Sequence, residues 1–334
     1  MAVKFTKPEI NVREKLAELD KPSGIAGEAM LRAETPQEQF NLIGAGRRNL
    51  IINGDMKVAQ RGTSFTSHSG YTLDRYKGFG HTYNQIDNGD FYSLRMLWVT
   101  GTDANIYYPV ELERGELENG QTYTLSFKYK SAGALMTLEC FYRDSTAGSN
   151  VVSQIPVQTL PNSSEFTDYS ITFTCSGRIS AHGALNIRFG NSSGTKEIAK
   201  LQLEAGKIAT SFETRSYGEE LALCQRYYQA IPVKYESILG QAWNTTSARF
   251  PIQLPVEMRA TPSITVPPPG QTGYAMKPLT ASLSWPGGSG NNAVTATSSR
   301  SFYITCTGYS GLVSGNVSTL YAHDISYIKC EAEL

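Results

Sequence analysis

The sequence predicts a mainly β protein: a short helical N-terminal segment over 1–48, a jelly-roll β-sandwich over 49–215, a short linker helix, and a second all-β domain completing 216–334. Three observations carry that reading. Period-two alternation recurs in short segments separated by turn residues. A chain of 334 residues exceeds one ordinary core and suits about two domains plus an extension. Charge is unevenly spread, with 15 Lys, Arg, Asp or Glu residues in 1–48 against nine in 237–334, so the N-terminal region is a different kind of object.

Within that first region, Val12, Leu16 and Leu19 recur at helical intervals in VREKLAEL. In TPQEQFNLI, Thr35 is an N-cap with Pro36 at the first helical position, Glu38 at the third and Phe40 following. Pro22, Gly24 and Gly27 break the chain between the two stretches. Two short helices cannot bury a core alone, so their apolar residues call for a partner chain or for the domain that follows. Arg47-Arg48 reads as a solvated boundary pair.

From Asn49 onward the strands are NLIING, Thr122–Ser131, Ala134–Arg143, Phe166–Ser176, Ala184–Asn191 and Ile198–Gly206. In TYTLSFKYK, Tyr123, Leu125, Phe127 and Tyr129 share one face, and Thr124, Ser126, Lys128 and Lys130 the other. Such strands, with almost no helix among them, indicate a two-sheet sandwich. Residues 71–108 read as a loop-rich half. There Tyr71 and Tyr76 flank Asp74-Arg75 in a buried polar network, and Trp98 in LRMLWV reads as core.

After Gly218, EELALCQRYYQ places Leu221, Cys224 and Tyr228 on one helical face, with Glu219 and Glu220 at the positive N-terminus. This helix is expected to clip the two β regions together. Beyond it, Pro251, Pro255 and Pro262 mark strand edges or starts. WPGGSGNN is an exposed loop, and SRSFYITCTGYSG and DISYIKCEAEL resume alternation, the latter as a terminal strand. Phe302 and Tyr303 are expected in the core.

Composition excludes several functions. A formal net charge of zero with 18% charged residues gives no clustered basic surface for nucleic acid. No apolar run approaches the roughly 20 residues that span a bilayer, and no apolar signal core opens the chain, so a soluble protein without membrane insertion or its own export signal is expected. Cys140, Cys175, Cys224, Cys306 and Cys330 form no C-x-x-C pair and read as buried free thiols. The sequons at Asn162, Asn191, Asn244 and Asn316 are chance products of a Ser/Asn-rich β protein. No G-x-S-x-G elbow, H-E-x-x-H helix, Walker loop or dinucleotide fingerprint occurs, and no short repeat signals a β-helix; catalysis is not expected.

Three segments also form an ordered set: NLIINGDMKVAQRGTSF at Asn49–Phe65, YTLDRYKG at Tyr71–Gly78 and QLEAGKIATSFETRSYGEELALCQRYYQ at Gln202–Gln229. Together they resemble the carbohydrate-binding-like fibre proteins of tailed bacteriophages, over roughly residues 47–260. The resemblance implies that NLIINGDM lies beside the closing strand KLQLEAG. It also implies a structural calcium near that junction, with Asp55 and Glu204 in the matching places. The family's next acidic position holds Met56 and Lys57 here, and turn capping is the alternative role for the pair. No other cofactor is required.

The same resemblance implies a virion tail-fibre protein, assembled in the host cytoplasm and docked through Val12, Leu16, Leu19 and Phe40 on tail adaptor or nozzle proteins. It implies a homotrimer that recognises a host-surface glycan or another receptor. A structural head fibre or capsid decoration protein without specific receptor binding is the alternative. Glycan recognition uses aromatic faces with flanking amides or acids, and receptor contacts favour exposed aromatics on loops. The candidates are Tyr107 and Tyr108 in the sandwich, and Trp243, Tyr274, Trp285, Tyr309 and Tyr321 in the second domain.

Overall fold

The computed structural model describes residues 48–98, 104–111, 117–133, 135–143, 151–176, 184–191, 193–233, 238–267, 276–279, 290–295, 298–322 and 327–333. The N-terminal segment expected to be helical, with Val12, Leu16, Leu19 and Phe40, lies outside the described residues, as do Tyr274 and Trp285.

Ten strands build the first core: β1 (Ser64–Tyr71), β2 (Lys77–Asp87), β3 (Tyr92–Leu97), β4 (Ala104–Glu111), β5 (Thr122–Ala132), β6 (Met136–Arg143), β7 (Val151–Leu160), β8 (Ser163–Thr174), β9 (Ala184–Asn191) and β10 (Thr195–Ala205). The region read as loop-rich therefore holds four strands. Bulges at Phe65/His68 and His68/Gly70 in β1 break the alternation that would have revealed the first of them.

The hydrogen-bonded order is β7-β6-β9-β4-β2-β3-β10-β5-β8, with β1 on β2. Strand β2 is where this ribbon turns into two layers. Lys77–Phe79 pair with β4, Thr82–Asp87 pair with β3, and Gly80 between them takes a φ of 74°. Across the layers, the Phe127 ring meets Phe189 edge-on at 5.0 Å, and the Tyr142 hydroxyl lies 3.2 Å from Cys175 Sγ. The predicted inward set Tyr123, Leu125, Phe127 and Tyr129 is buried, together with Leu185, Ile187, Ile198 and Leu203. The first core is thus a jelly-roll-like antiparallel sandwich.

NLIING is not a strand, although it lies where the resemblance placed it. The Leu50 amide donates to the Leu203 carbonyl (2.9 Å), and the Leu201 amide donates to the Gly54 carbonyl (2.8 Å). The approach is so close that a Cβ on Gly54 would fall 2.2 Å from the Leu201 carbonyl oxygen. Asn49 adds an amide-to-carbonyl bond to Leu201 (3.1 Å), and its side-chain oxygen accepts from Ile51 (2.9 Å) and Leu203 (3.1 Å). Side-chain bonds and turns, more than a ladder, fix this segment.

Helix α1 (Tyr217–Gln225) is capped by Ser216, whose hydroxyl accepts from the Glu219 amide at 3.3 Å. Its buried residues are Glu220 and Cys224. Glu220 accepts from the Asn53 amide (2.5 Å) and so ties the helix to the sandwich. Tyr228, expected on the helix face, instead opens β11 (Tyr228–Pro232), because the helix ends at Gln225.

Beyond β11 come β12 (Ile238–Ala242), β13 (Ala248–Gln253), β14 (Ser263–Thr265), β15 (Met276–Leu279), β16 (Asn291–Thr295), β17 (Ser301–Thr307), β18 (Val317–Ala322) and β19 (Tyr327–Glu331). They form a three-stranded sheet, β11-β19-β14, and a six-stranded sheet, β15-β18-β12-β13-β17-β16. Phe250, Phe302, Ile304, Leu320 and Ile328 centre a second core. Pro251 sits inside β13 in mid-sheet, not on an edge strand. It is tolerated because β12 pairs only with Ala248 and Arg249, so the missing amide falls beyond that ladder. Tyr303, expected in the core, is 43% exposed: Phe302 takes the inward position, and period two turns its neighbour outward. Trp98 is half-buried where a core position was expected. All five cysteines are buried and free.

The two cores meet through a buried polar junction. Glu333 pairs with Arg75 and with Arg61 (3.0 Å), while the Arg75 guanidinium lies 3.5 Å from the Tyr227 ring centroid and donates to the Pro109 carbonyl (2.7 Å). Asp74 accepts from the Gln60 amide and side chain, both at 2.7 Å. Asp74-Arg75 thus forms the expected buried network, and its second half comes from the other end of the chain.

Candidate functional site

The strongest exposed aromatic among the candidates is Trp243, at the corner of the β12–β13 hairpin. Asn244 builds the turn: its Oδ1 accepts from the Thr246 amide (2.8 Å) and hydroxyl (3.0 Å). The Trp243 amide donates to the Ser247 carbonyl (2.8 Å), and its carbonyl accepts from the Ser314 hydroxyl (3.1 Å). Backbone bonds from Ala242 to Asn316 and from Gly315 to Ala242, both 2.9 Å, tie the corner to the neighbouring turn.

The indole itself is 62% exposed, although its backbone is held on both sides. Arg249 braces it, with the guanidinium carbon 4.4 Å from the ring centroid. Around it the outward face of the six-stranded sheet sets large apolar side chains among polar ones such as Gln253 and Thr305: Leu239 is 63% exposed, Val317 61% and Tyr303 43%. Gln241 lies between them, paired with Arg249 and Val317, and its amide nitrogen donates to the Gly315 carbonyl (3.1 Å). A pre-positioned ring with an amide and a guanidinium beside it can stack on the apolar face of a sugar or on a protein side chain while hydrogen-bonding its polar edge.

Sequence reasoning missed Arg249 as the brace. The signal was present: Phe250 and Ile252 point inward in ARFPIQ, which puts Arg249 on the outer face, opposite Gln241.

Other candidates fall elsewhere. Tyr108 is 2% exposed; its hydroxyl accepts from the Ile52 amide (2.7 Å) and donates to the Ile52 carbonyl (2.9 Å), while burial raises its pKa far above the usual tyrosine range. It is a core strut and not a ligand contact, because β4 turns it inward while its neighbour Tyr107 packs half-buried against Phe79 and Phe141. Tyr309 is also 2% exposed. Its ring fills the space over Gly290, where a Cβ would come 2.1 Å from the ring, and burial pushes its hydroxyl up to about 12. Tyr309 is therefore a core ring and not a surface contact. Tyr321 lies in β18 opposite Lys277, and its side chain is outside the described residues.

Asp55 and Glu204 do not fit calcium in this arrangement. Glu204 is fully buried and spends its oxygens on the Lys207–Thr210 turn, accepting from the Thr210 amide (2.9 Å), the Thr210 hydroxyl (2.7 Å) and Gln202 (3.0 Å). Asp55 pairs with Lys57 at 2.8 Å. Calcium takes six to eight oxygens, and among the described residues no group of three His, Cys, Asp or Glu side chains gathers. Turn capping is the role that Glu204 performs.

A concavity of about 330 Å³ lies on the outer face of β5 and β8, where Lys128 and Asp168 pair at 2.8 Å beside Lys200 and Phe212. Among the described residues no helix is long and apolar enough to cross a membrane.

No family model and no curated protein matches the chain. Solved structures do. The enzymatically active domain of bacteriophage CBA120 tailspike protein 4 matches at 16% identity and a TM-score of 0.35, over 47% of this chain and 21% of that one. The CBM22-1 xylan-binding domain of Paenibacillus barcinonensis Xyn10C matches at 11% and 0.31, over 44% and 94%. TmCBM61, solved with β-1,4-galactotriose, matches at 12% and 0.32, over 48% and 100%. This chain thus spans about a fifth of the tailspike domain and nearly all of each module. The chain's own strand order defines the class: a mainly β protein with a jelly-roll-like sandwich and two further β sheets. Its function is argued from its own residues.

Proposed function

We propose that this chain is a phage virion fibre protein that attaches through residues 1–48 to the tail and recognises a host-surface glycan or other receptor with its β domains. The observation that carries the recognition half is Trp243: a ring 62% in water whose backbone is fixed on both sides and whose orientation Arg249 holds. Fixing an exposed ring lowers the entropy lost on binding, which favours a recognition role over a merely solvated one. The attachment half rests on the resemblance of Asn49–Phe65, Tyr71–Gly78 and Gln202–Gln229 to fibre proteins, and on apolar residues in 1–48 without a core of their own. A homotrimer accords with both, since a neighbouring copy would cover the apolar outer face around Leu239 and Tyr303.

The test is competition. Purified protein at virion-like oligomeric state should block adsorption of the phage to its host, and Trp243→Ala should lose that block while folding normally. Absence of competition together with absence of glycan binding would leave a structural head fibre or decoration protein as the reading. A density map of the virion would place residues 1–48 on tail or head.

A further inference from the structure

We infer that the cleft between β1 and the outer face of the β11-β19-β14 sheet is a binding site for a short acidic saccharide. The inference deepens the recognition reading above and rests on it, but it concerns a different surface from Trp243.

The cleft has a volume of about 530 Å³, within the range of ligand sites. One wall is β1, which among the described residues pairs with β2 alone and is bulged twice, with Ser67 at φ 46° and Gly70 at φ 137°. Those bulges turn Phe65, His68 and Tyr71 toward the opening. The other wall follows from strand parity. Ile328 and Cys330 are fully buried in the second core, so Tyr327, Lys329 and Glu331 point the other way, with Tyr228 opposite Glu331 and Ala230 opposite Lys329. Gly70 and Ala230 line the cleft with almost no side chain, which leaves the space open.

Arg61 closes one end. Its guanidinium carbon lies 3.6 Å from the Tyr228 ring centroid and 5.2 Å from that of Tyr71. The charge balance selects the ligand. Arg61 is shared among Asp74, Glu331 and Glu333. Lys329, the lysine in the cleft lining, stands exposed on β19 and makes no ion pair among the described residues. The exposed Tyr327 ring and the half-buried Tyr71 suit the apolar face of a pyranose, His68 and the half-exposed Glu331 suit its hydroxyls, and Lys329, without a carboxylate partner among the described residues, suits an acidic substituent.

The experiment is an array of neutral, uronic-acid-bearing and sialylated oligosaccharides, followed by titration of whichever acidic oligosaccharide binds. Lys329→Glu, on an exposed strand position, should weaken that binding by about fivefold or more, with wild-type affinity falling as salt rises. Ala230→Trp should abolish it by filling the cleft, and Val313→Ala, at an exposed position outside the cleft lining, should leave it unchanged. Near-UV circular dichroism checks that each variant keeps its packing. Acidic binding that survives both Lys329→Glu and Ala230→Trp overturns this site and leaves glycan recognition standing elsewhere on the chain. Binding of neutral glycans alone, or of none, also overturns it, while adsorption competition independently decides the receptor reading.

Discussion

The first core spends its polar side chains inward, and the second presents apolar ones outward. In the sandwich, β10 is covered on both faces: Ile198 and Leu203 enter the apolar core, while Glu197, Gln202 and Glu204 are buried on the other side, the last two beneath the turn that follows. In the six-stranded sheet, Phe250, Ile304 and Leu320 fill one face, but Leu239, Trp243, Tyr303 and Val317 stand in water on the other. The difference teaches a division of labour. A sheet closed on both sides holds a frame, and one left open on an apolar side has surface to give to a partner.

The largest expected effect breaks the frame. Phe127→Ala removes a ring that bridges the two layers and should cost about 3–5 kcal/mol in denaturant unfolding. An equal loss from Tyr303→Ala, on the open face, would erase the contrast. Next comes the junction between the regions. Glu333→Ala leaves the fully buried Arg75 without its carboxylate and should cost about 3 kcal/mol, unless the Tyr227 ring alone suffices to hold it. Gly54→Ala should cost about 2 kcal/mol or more, because its Cβ meets backbone that cannot yield.

A pH series sharpens the same boundary. Burial alone would raise the Glu111 carboxyl, but hydrogen bonds from Tyr227 and Arg259 and the charge of Arg226 outweigh it and hold the group below the usual glutamate range. A carboxyl whose folded pKa is depressed stabilises fully above its unfolded pKa and loses that contribution as pH falls through the folded value. Thermal midpoints of wild type and Glu111→Gln should therefore differ at neutral pH and converge in acid. Burial pushes Asp74 the opposite way, so its protonation on acidification favours the fold and offsets part of the loss. The smallest stability effect belongs to Trp243→Ala, within about 0.5 kcal/mol, although it should abolish adsorption competition.

Much of the frame was legible because a strand's period of two is written in consecutive residues. TYTLSFKYK announced its inward face directly, and Phe302–Cys306 did so as well, once one of the adjacent aromatics was assigned outward. The β1–β4 region was not legible, since bulges at His68 and Gly70 scramble the alternation there. Of the contact candidates, Trp243 proved exposed, whereas Tyr108 and Tyr309 are buried, because an aromatic in a β protein serves equally well as strut or platform until its neighbours are known.

The sequence by itself determined the all-β character, the parity of its clearest strands, the five buried thiols and the helix that leads from one core to the other, since each depends on local chemistry. Only the tertiary structure decided that NLIING would be held by side-chain bonds and two backbone contacts, that Glu333 would cross the chain to meet Arg75, and that β1 and β19 would enclose a cleft. Those outcomes join residues from 147 to more than 250 positions apart. Local periodicity carries no information about such distant partners; packing chooses them.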